Sequence, residues 1–296
     1  MVKVLITGGG FLGQRLAQAL AARGDSVRVL DIAPAPSPTL DWITGDVSSL
    51  DDVTRALDAC SHVVHLAALL TPACAADPLR GAQVNLIGTL NVFEAARRAG
   101  LKQVVYASSA GVYGPESAAL PQPVTLYGTW KLAAEGIARA YFAEHGITSV
   151  GLRPFVVYGA RRESGLSSGP SLACRAAVRG EPYTIPFSGR TGLVYVDDVV
   201  RAFVAALTPK QLGAFVFDLP GVIASMNEVI AEVRRHVPGA RLDASGPPLP
   251  IAADVAPSDM RAVLGDLPIT SLAAGIAATL QRADTEAKGR AWSPDP

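Results

Sequence analysis

Val2-Lys3-Val4-Leu5-Ile6-Thr7-Gly8-Gly9-Gly10-Phe11-Leu12-Gly13-Gln14-Arg15-Leu16-Ala17 is the stretch from which the rest of the chain is read. Its aliphatic, β-branched start predicts a buried parallel strand. Clustered glycines break that strand, and Phe11, Leu12, Leu16 and Leu20 then recur at helical spacing. In a strand, glycine turn and helix of this kind, Gly8 permits the tight turn and Gly13 lets helix and strand pack closely. Gly10 withholds the side chain that would block a pyrophosphate, and N–H groups at the helix start meet phosphates with the positive end of the dipole. The pattern Gly8-x-Gly10-x-x-Gly13 also occurs in turns that bind nothing, so its context decides. A strand precedes it, a helix follows it, and Asp31 closes a second apolar run, Ser26 to Leu30, about 20 positions on. The unit predicts dinucleotide binding.

The chain has 296 residues, 49% of them apolar, which suits one large domain or two unequal ones. Lysine plus arginine balances aspartate plus glutamate at 26 each, which argues against a nucleic-acid or membrane-surface partner. No apolar run reaches the length of a membrane span, and the first strand starts at the N-terminus with no room for a signal peptide. Cys60, Cys74 and Cys174 are scattered, as core or incidental thiols of a reducing cytoplasm would be. Neither they nor His62, His65, His145 and His236 have ligand spacing, so no metal is expected.

From Ile32 to Pro38 a proline-rich loop interrupts the pattern. Thr44 to Val47 leads to a cap at Ser48 or Ser49 and a helix through about Ala59. Ser61 to Ala68 reads as a buried strand ending in small residues, which suits a ligand lying close to the carboxyl edge of a parallel sheet. A long helix from about Gly81 to Ala99 stops at Gly100, and Lys102 to Ser108 is the next strand. Thr125 to His145 is a helix with Leu126, Trp130, Ala133, Ile137 and Tyr141 in one apolar stripe, and Thr148 to Phe155 is a strand. Strands alternating with helices predict an α/β fold with a doubly wound parallel sheet of the Rossmann type. The regularity weakens after about residue 158. The expected division is residues 1–160 as the dinucleotide-binding domain, joined by segments near 190–220, with 161–283 mostly a smaller C-terminal substrate-binding lobe. Residues 284–296 read as a loosely held tail. Asp197 is expected to cap a helix over about 198–207, and Ser225-Met226-Asn227-Glu228 has the form of a capping box.

Tyr127 and Lys131, four apart, share a helical face beside the apolar stripe, and Ser108-Ser109-Ala110-Gly111 closes the preceding strand. A neutral tyrosine is a poor base at pH 7, but a neighbouring ammonium, like a cationic nicotinamide, favours the phenolate. A serine hydroxyl can hold the reacting oxygen while the tyrosine moves its proton.

With these residues in view, the chain from residue 1 to about 220 resembles the extended short-chain dehydrogenase/reductase family, the NAD-dependent epimerase/dehydratase group. The resemblance also rests on His65-Leu66-Ala67-Ala68, Val84-Asn85-Leu86-Ile87-Gly88-Thr89, Val112-Tyr113-Gly114, Leu152-Arg153-Pro154, Val157-Tyr158-Gly159 and Tyr195-Val196-Asp197-Asp198. It implies a catalytic triad of Ser109, Tyr127 and Lys131, with Lys131 also holding the nicotinamide ribose. It implies that Gly8, Gly10, Phe11, Leu12 and Gly13 form the pyrophosphate turn and that Asp31 takes the adenine-ribose hydroxyls. Asp46 and Val47 would flank adenine, and Leu66, Ala67, Ala68 and Asn85 would line the cofactor path. Plainer roles stand beside these: Ser109 as a cap, Lys131 as a surface lysine paired with Glu135, Asp31 as a polar strand end, Asp46 as a turn residue. A carboxylate at Asp31 with no arginine in Ile32-Ala33-Pro34 favours NAD over NADP.

Three departures from the family pattern bear on substrate. The glycine turn is one residue short, Val156 stands where nucleotide-sugar relatives commonly carry Asn, and Thr191 stands where they carry a diphosphate-clamping Arg. Losing such a contact costs on the order of 1.5–3 kcal/mol per charged hydrogen bond. Arg190 is one position away, and Arg161, Arg162 and Arg190 either meet a substrate carboxylate or stay solvated. The expected function is NAD-dependent hydride transfer from a hydroxyl of a small sugar, sugar acid or hydroxy acid, with Tyr127 as base. The alternative is a sugar or nucleotide-sugar epimerase working by transient oxidation, and a non-catalytic NAD-binding sensor comes after both. Ala110 and Gly111 stand where dehydratase relatives carry an acidic pair. The resemblance further implies a homodimer through helices near 81–99 and 125–145, whose outer faces are expected to carry Ala, Phe93 and Tyr141.

Overall fold

Strands β1 (Lys3–Thr7), β2 (Ser26–Asp31), β3 (Asp41–Thr44), β4 (His62–His65), β5 (Gln103–Ala107) and β6 (Thr148–Pro154) make up the first half of the strand list in this computed structural model. β7 (Val156–Tyr158), β8 (Tyr183–Ile185), β9 (Arg190–Tyr195), β10 (Ala214–Leu219), β11 (Val222–Ser225) and β12 (Leu242–Ala244) follow. The structure describes residues 2–36, 40–116, 120–253 and 255–288; Ser37 and Pro38 of the proline-rich loop and residues 289–296 of the tail lie outside these.

Seven strands form one sheet in the order β10-β6-β5-β4-β1-β2-β3, and every neighbouring pair is parallel. β1 leads outward to β2 and β3, whereas β4 leads the other way to β5, β6 and β10. The order therefore reverses between β1 and β4, and a doubly wound sheet opens a crevice at the carboxyl ends of the strands at such a reversal. Successive side chains of a strand point to opposite faces. Val4 and Ile6 accordingly join Leu16 and Leu20 of helix Phe11–Ala22 in one core. Leu5 joins Val53 and Val92 in the other, under helices Leu50–Leu57 and Gly88–Arg98. A three-stranded sheet, β11-β9-β7, and the pair β12-β8 lie outside the main sheet.

The structure differs from the sequence reading at several elements. β3 has no signal in the sequence: it is four residues long, and its Trp42 and Ile43 are only half-buried, too short a run to show a period. The single helix expected from about Gly81 to Ala99 is helix Pro78–Ala82, a wide π-type turn over Gln83–Ile87, and helix Gly88–Arg98. Phe93 is fully buried, with its ring 5.9 Å from Tyr106 and 5.3 Å from Tyr141, so it faces the core and not an outer surface. The large apolar side chains left outside on this stretch are Leu79, Ile87 and Leu90.

Asp197 caps nothing. Helix Val196–Ala206 begins after Tyr195 with no side-chain cap, and Asp197 lies within its first turn, where it accepts from Arg15 Nε at 2.8 Å and Arg282 Nη1 at 3.0 Å. Asp198 instead accepts from the Thr270 N–H at 2.8 Å and its hydroxyl at 2.5 Å. Ser225 and Glu228 do form both halves of the capping box. Asp284 to Ala287 continue helix Leu272–Ala287 instead of starting a loose tail. Among the described residues no helix is long and apolar enough to cross a membrane.

Candidate active site

The glycine turn sits at the reversal between β1 and β4. Gly8 has φ +91°, and a Cβ there would come within 2.6 Å of the Ala67 nitrogen at the end of β4. A Cβ on Gly13 would run into the Gly8 carbonyl oxygen. A Cβ on Gly10 would meet no protein atom within 4 Å, because this glycine faces open space in a cleft of about 770 Å³. Gly8 and Gly13 are therefore required by the fold itself, and Gly10 is required only if something approaches from outside.

Asp31 follows from the same turn. Its carboxylate accepts from the Gly9 N–H at 2.6 Å and the Ala33 N–H at 2.8 Å, which holds it at the cleft edge. Asp46 is more heavily committed. Burial alone would raise its carboxyl, but the N–H and hydroxyl of Ser48 and the Arg80 guanidinium overcome this and hold it below the usual range. Val47, behind it, is buried, and its carbonyl accepts from Asn91 Nδ2 at 3.1 Å.

The other end of the cleft collects the reactive side chains. Ser109 ends the segment after β5, accepts from the Gly111 N–H at 3.0 Å and hydrogen-bonds the Tyr127 hydroxyl. Thr125 caps helix Leu126–His145, which places Tyr127 in its first turn and Lys131 one turn later. Lys131 Nζ donates to the Ala107 carbonyl at 2.7 Å and lies 5.8 Å from the centre of the Tyr127 ring. Burial pulls the Lys131 ammonium down to about 8. Burial pushes the Tyr127 phenol up, while the Ser109 hydroxyl and the Arg162 guanidinium oppose it. As it stands, the phenol keeps its proton at neutral pH, and only added positive charge beside it makes it a base.

Glu135 is not the partner of Lys131. It accepts both arms of the Arg153 fork, at 2.7 and 2.6 Å, together with the Ser108 hydroxyl at 2.5 Å. Arg153 also donates to the Tyr113 hydroxyl, which in turn donates to Asp218. This buried network directly behind the cleft is absent from the sequence reading. Ser108, Tyr113 and Arg153 stand in scattered family-like motifs, and no spacing rule brings them to Glu135 and Asp218.

All the expected site residues but one line this single cleft: Gly8, Gly10, Phe11, Leu12, Gly13, Asp31, Asp46, Val47, Leu66, Ala67, Ala68, Ser109, Tyr127 and Lys131. Asn85 does not. It is held in the π-type turn, where Oδ1 accepts from the Leu69 N–H and Nδ2 donates to the Leu69 carbonyl and the Cys74 sulfur, so it pins the loop after β4. His65 is likewise structural, bridging Thr7 and Thr89, and burial pushes it down to about 3.

Of the three arginines singled out, Arg162 lines the cleft with its side chain turned in. Arg161 reaches the rim but pairs with Glu286 at 2.6 Å. Arg190 lies on β9 away from the cleft and pairs with Glu228 at 3.5 Å, because Thr191 takes the inward position and is 3% exposed. Val156 contributes only an aliphatic wall.

A model of the NAD dependent epimerase/dehydratase family matches residues 4–215. Over 95% of its length the chain is 31% identical to UDP-glucose 4-epimerase of Mycolicibacterium smegmatis, covering 98% of that protein. The fold superposes on MoeE5 in complex with UDP-glucose and NAD with a TM-score of 0.84 and 31% identity, over 96% of this chain and 99% of that one. It superposes on the holo form of a GalE-like L-threonine dehydrogenase from Cupriavidus necator with a TM-score of 0.84 and 26% identity, over 94% and 99% of the two chains.

Proposed function

The chain belongs to the NAD-dependent epimerase/dehydratase family of enzymes, and from that premise we propose that it oxidises a hydroxyl of a small sugar, sugar acid or hydroxy acid. The observation that carries this reading is the convergence of Ser109, Tyr127 and Lys131 in the same cleft as the glycine turn. The cleft fits the family's cofactor. Gly10 leaves room for a pyrophosphate against backbone N–H groups, and Asp31 offers carboxylate oxygens to a ribose diol while repelling a 2′-phosphate.

When bound, NAD supplies the hydride acceptor, and its positive ring adds to the charge beside Tyr127. Ser109 would hold the substrate oxygen, and Tyr127, as phenolate, would take the hydroxyl proton and become neutral tyrosine as the carbinol carbon gives up its hydride to that acceptor and becomes a carbonyl. Lys131 keeps the phenolate in the accessible pH range and binds the nicotinamide ribose. Arg190 turned away, Thr191 sealed inside and Val156 apolar support a substrate without a diphosphate to clamp. Leu249, Pro250 and Ile251, from the segment expected to form the substrate-binding lobe, also line the cleft.

The test is NADH formation at 340 nm across a panel of sugars, sugar acids and hydroxy acids. Tyr127→Phe is expected to lower kcat by about 10²–10⁴-fold with NAD affinity retained; wild-type turnover by that variant would remove Tyr127 from the chemistry. A second reading, epimerisation through a transient ketone, is favoured by the 31% identity to UDP-glucose 4-epimerase. It predicts inverted product with no net NADH. A homodimer is supported by Ile87 and Leu90, both exposed and three apart in sequence, with Leu79 exposed nearby in the chain. Sedimentation equilibrium reads it, and a monomer at micromolar concentration would dismiss it. A reducing compartment is supported by Cys60, Cys74 and Cys174, all buried and unpaired.

A further inference from the structure

The loop after β7 carries two arginines that the backbone sends in opposite directions. Arg161 takes φ +71°, a conformation few residues other than glycine adopt. Its side chain goes outward to Glu286, and the next residue, Arg162, goes inward to the cleft wall. There Nη1 donates to the Val157 carbonyl at 2.5 Å and Nη2 to the Ser167 hydroxyl at 2.9 Å. Both acceptors are uncharged, and a guanidinium has five N–H donors.

The neighbouring charges are already matched. Glu163 pairs with Arg175 at 2.7 Å and Glu286 with Arg161 at 2.6 Å. Among the described residues, Arg162 has no carboxylate in an ion pair. A largely buried cation without an anion is costly, and buried charges are ordinarily paired. Burial in fact draws this guanidinium down to about 10, an unusual value for arginine. Arg162 shares the cleft with Tyr127, and its charge acts on the Tyr127 phenol.

We infer that Arg162 binds a carboxylate of the substrate, so that the alcohol oxidised at Tyr127 carries its carboxylate near the carbinol carbon, as hydroxy acids and sugar acids do. The inference rests on the proposed role of Tyr127 and narrows it to one substrate class. A guanidinium beside the reacting hydroxyl suits a carboxylate better than the diphosphate of a nucleotide sugar, which is attached at the anomeric carbon, across the ring from the C4 hydroxyl. The planar fork of arginine matches a carboxylate in two parallel hydrogen bonds.

The experiment titrates the NAD-loaded protein with matched pairs: glucuronate against glucose, 3-hydroxybutyrate against its amide, UDP-glucuronate against UDP-glucose. Thermal melting reads binding, and NADH formation is read in parallel. In the wild type at least one acid should raise the melting temperature where its neutral partner does not. Arg162→Gln, which can still bond Val157 and Ser167, should weaken that acid about ten- to a hundredfold and leave the shift produced by NAD alone unchanged. Arg162→Lys should restore part of the acid preference. An acid preference unchanged in Arg162→Gln would overturn the inference, as would no acid preferred over its partner. Equal losses for UDP-glucuronate and UDP-glucose would assign the guanidinium to the diphosphate instead, which also overturns it. Failure of the underlying reading looks different: acids still bind through Arg162, but Tyr127→Phe turns over like the wild type.

Discussion

Lys131 is 3% exposed, and its ammonium donates to the Ala107 carbonyl at 2.7 Å and lies 5.8 Å from the centre of the Tyr127 ring. Burial draws it down to about 8, with Cys74 and Glu135 opposing. An unfolded lysine keeps its proton to about pH 10.4. Between these values the unfolded chain therefore binds more protons than the folded one, and stability from this group rises with pH across the window. Below pH 8 the buried charge costs roughly 3 kcal/mol. Lys131→Met removes that cost and forfeits about 1 kcal/mol with the Ala107 hydrogen bond. We expect the variant to be more stable by roughly 2 kcal/mol at pH 7, with the gain shrinking toward pH 10. Urea titrations at the two pH values check this, and a variant less stable than wild type at pH 7 would contradict it. The same change withdraws the positive charge that favours the phenolate, so turnover falls as stability rises.

Within the strand–turn–helix unit, Gly10 and Gly13 look alike in sequence and differ in what surrounds them. An alanine at Gly13 collides with the Gly8 carbonyl, whereas at Gly10 its Cβ meets nothing within 4 Å and the backbone, at φ −73°, accepts any residue. Gly13→Ala should lower stability by about 1–3 kcal/mol. Gly10→Ala should melt like the wild type without NAD and lose at least tenfold in NAD affinity, read by calorimetry. Unchanged affinity in Gly10→Ala would place the pyrophosphate elsewhere. This unit was legible because strand, turn and helix are local and each has its own period; Tyr127 and Lys131 were legible for the same reason, one turn apart on one helix. The Arg153–Glu135 fork was not, since it joins β6 to helix Leu126–His145 and depends on how they pack. The partners of Asn85, Leu69 and Cys74, were not legible either, since it lies in a π-type turn whose step a regular helical period does not show. Arg162 could be named from the sequence but not told from Arg161 or Arg190, because a single left-handed residue decides which of the first two faces inward.

The cleft opens where β1 and β4 part, but the chain that surrounds it is drawn together on the far side of the glycine-turn helix. Arg15 of helix Phe11–Ala22 and Arg282 of helix Leu272–Ala287 both reach Asp197, at the start of helix Val196–Ala206, and Arg282 also donates to the Tyr195 hydroxyl at 2.8 Å. Asp198, the next residue, accepts from Thr270 and from Arg201. Two adjacent carboxylates thus tie the last helix and the segment before it to helix Val196–Ala206 and, through Arg15, to helix Phe11–Ala22, across 85 residues for Asp197–Arg282 and 72 for Asp198–Thr270. A helix cap would involve only the first turn of one helix, so the two roles separate experimentally. If Asp197 acted locally, Asp197→Ala would loosen helix Val196–Ala206 alone. With Asp197 bridging, the variant brings Arg15 and Arg282 together without the carboxylate between them, and partly buried ion pairs of this kind cost about 1–4 kcal/mol to break. We expect amide hydrogen exchange to speed up most in Leu272–Ala287, with helix Phe11–Ala22 following and β4 to β6 unchanged. Since Arg15 lies one turn from Gly10, NAD binding should slow exchange in the last helix of the wild type and have less effect on that helix in Asp197→Ala.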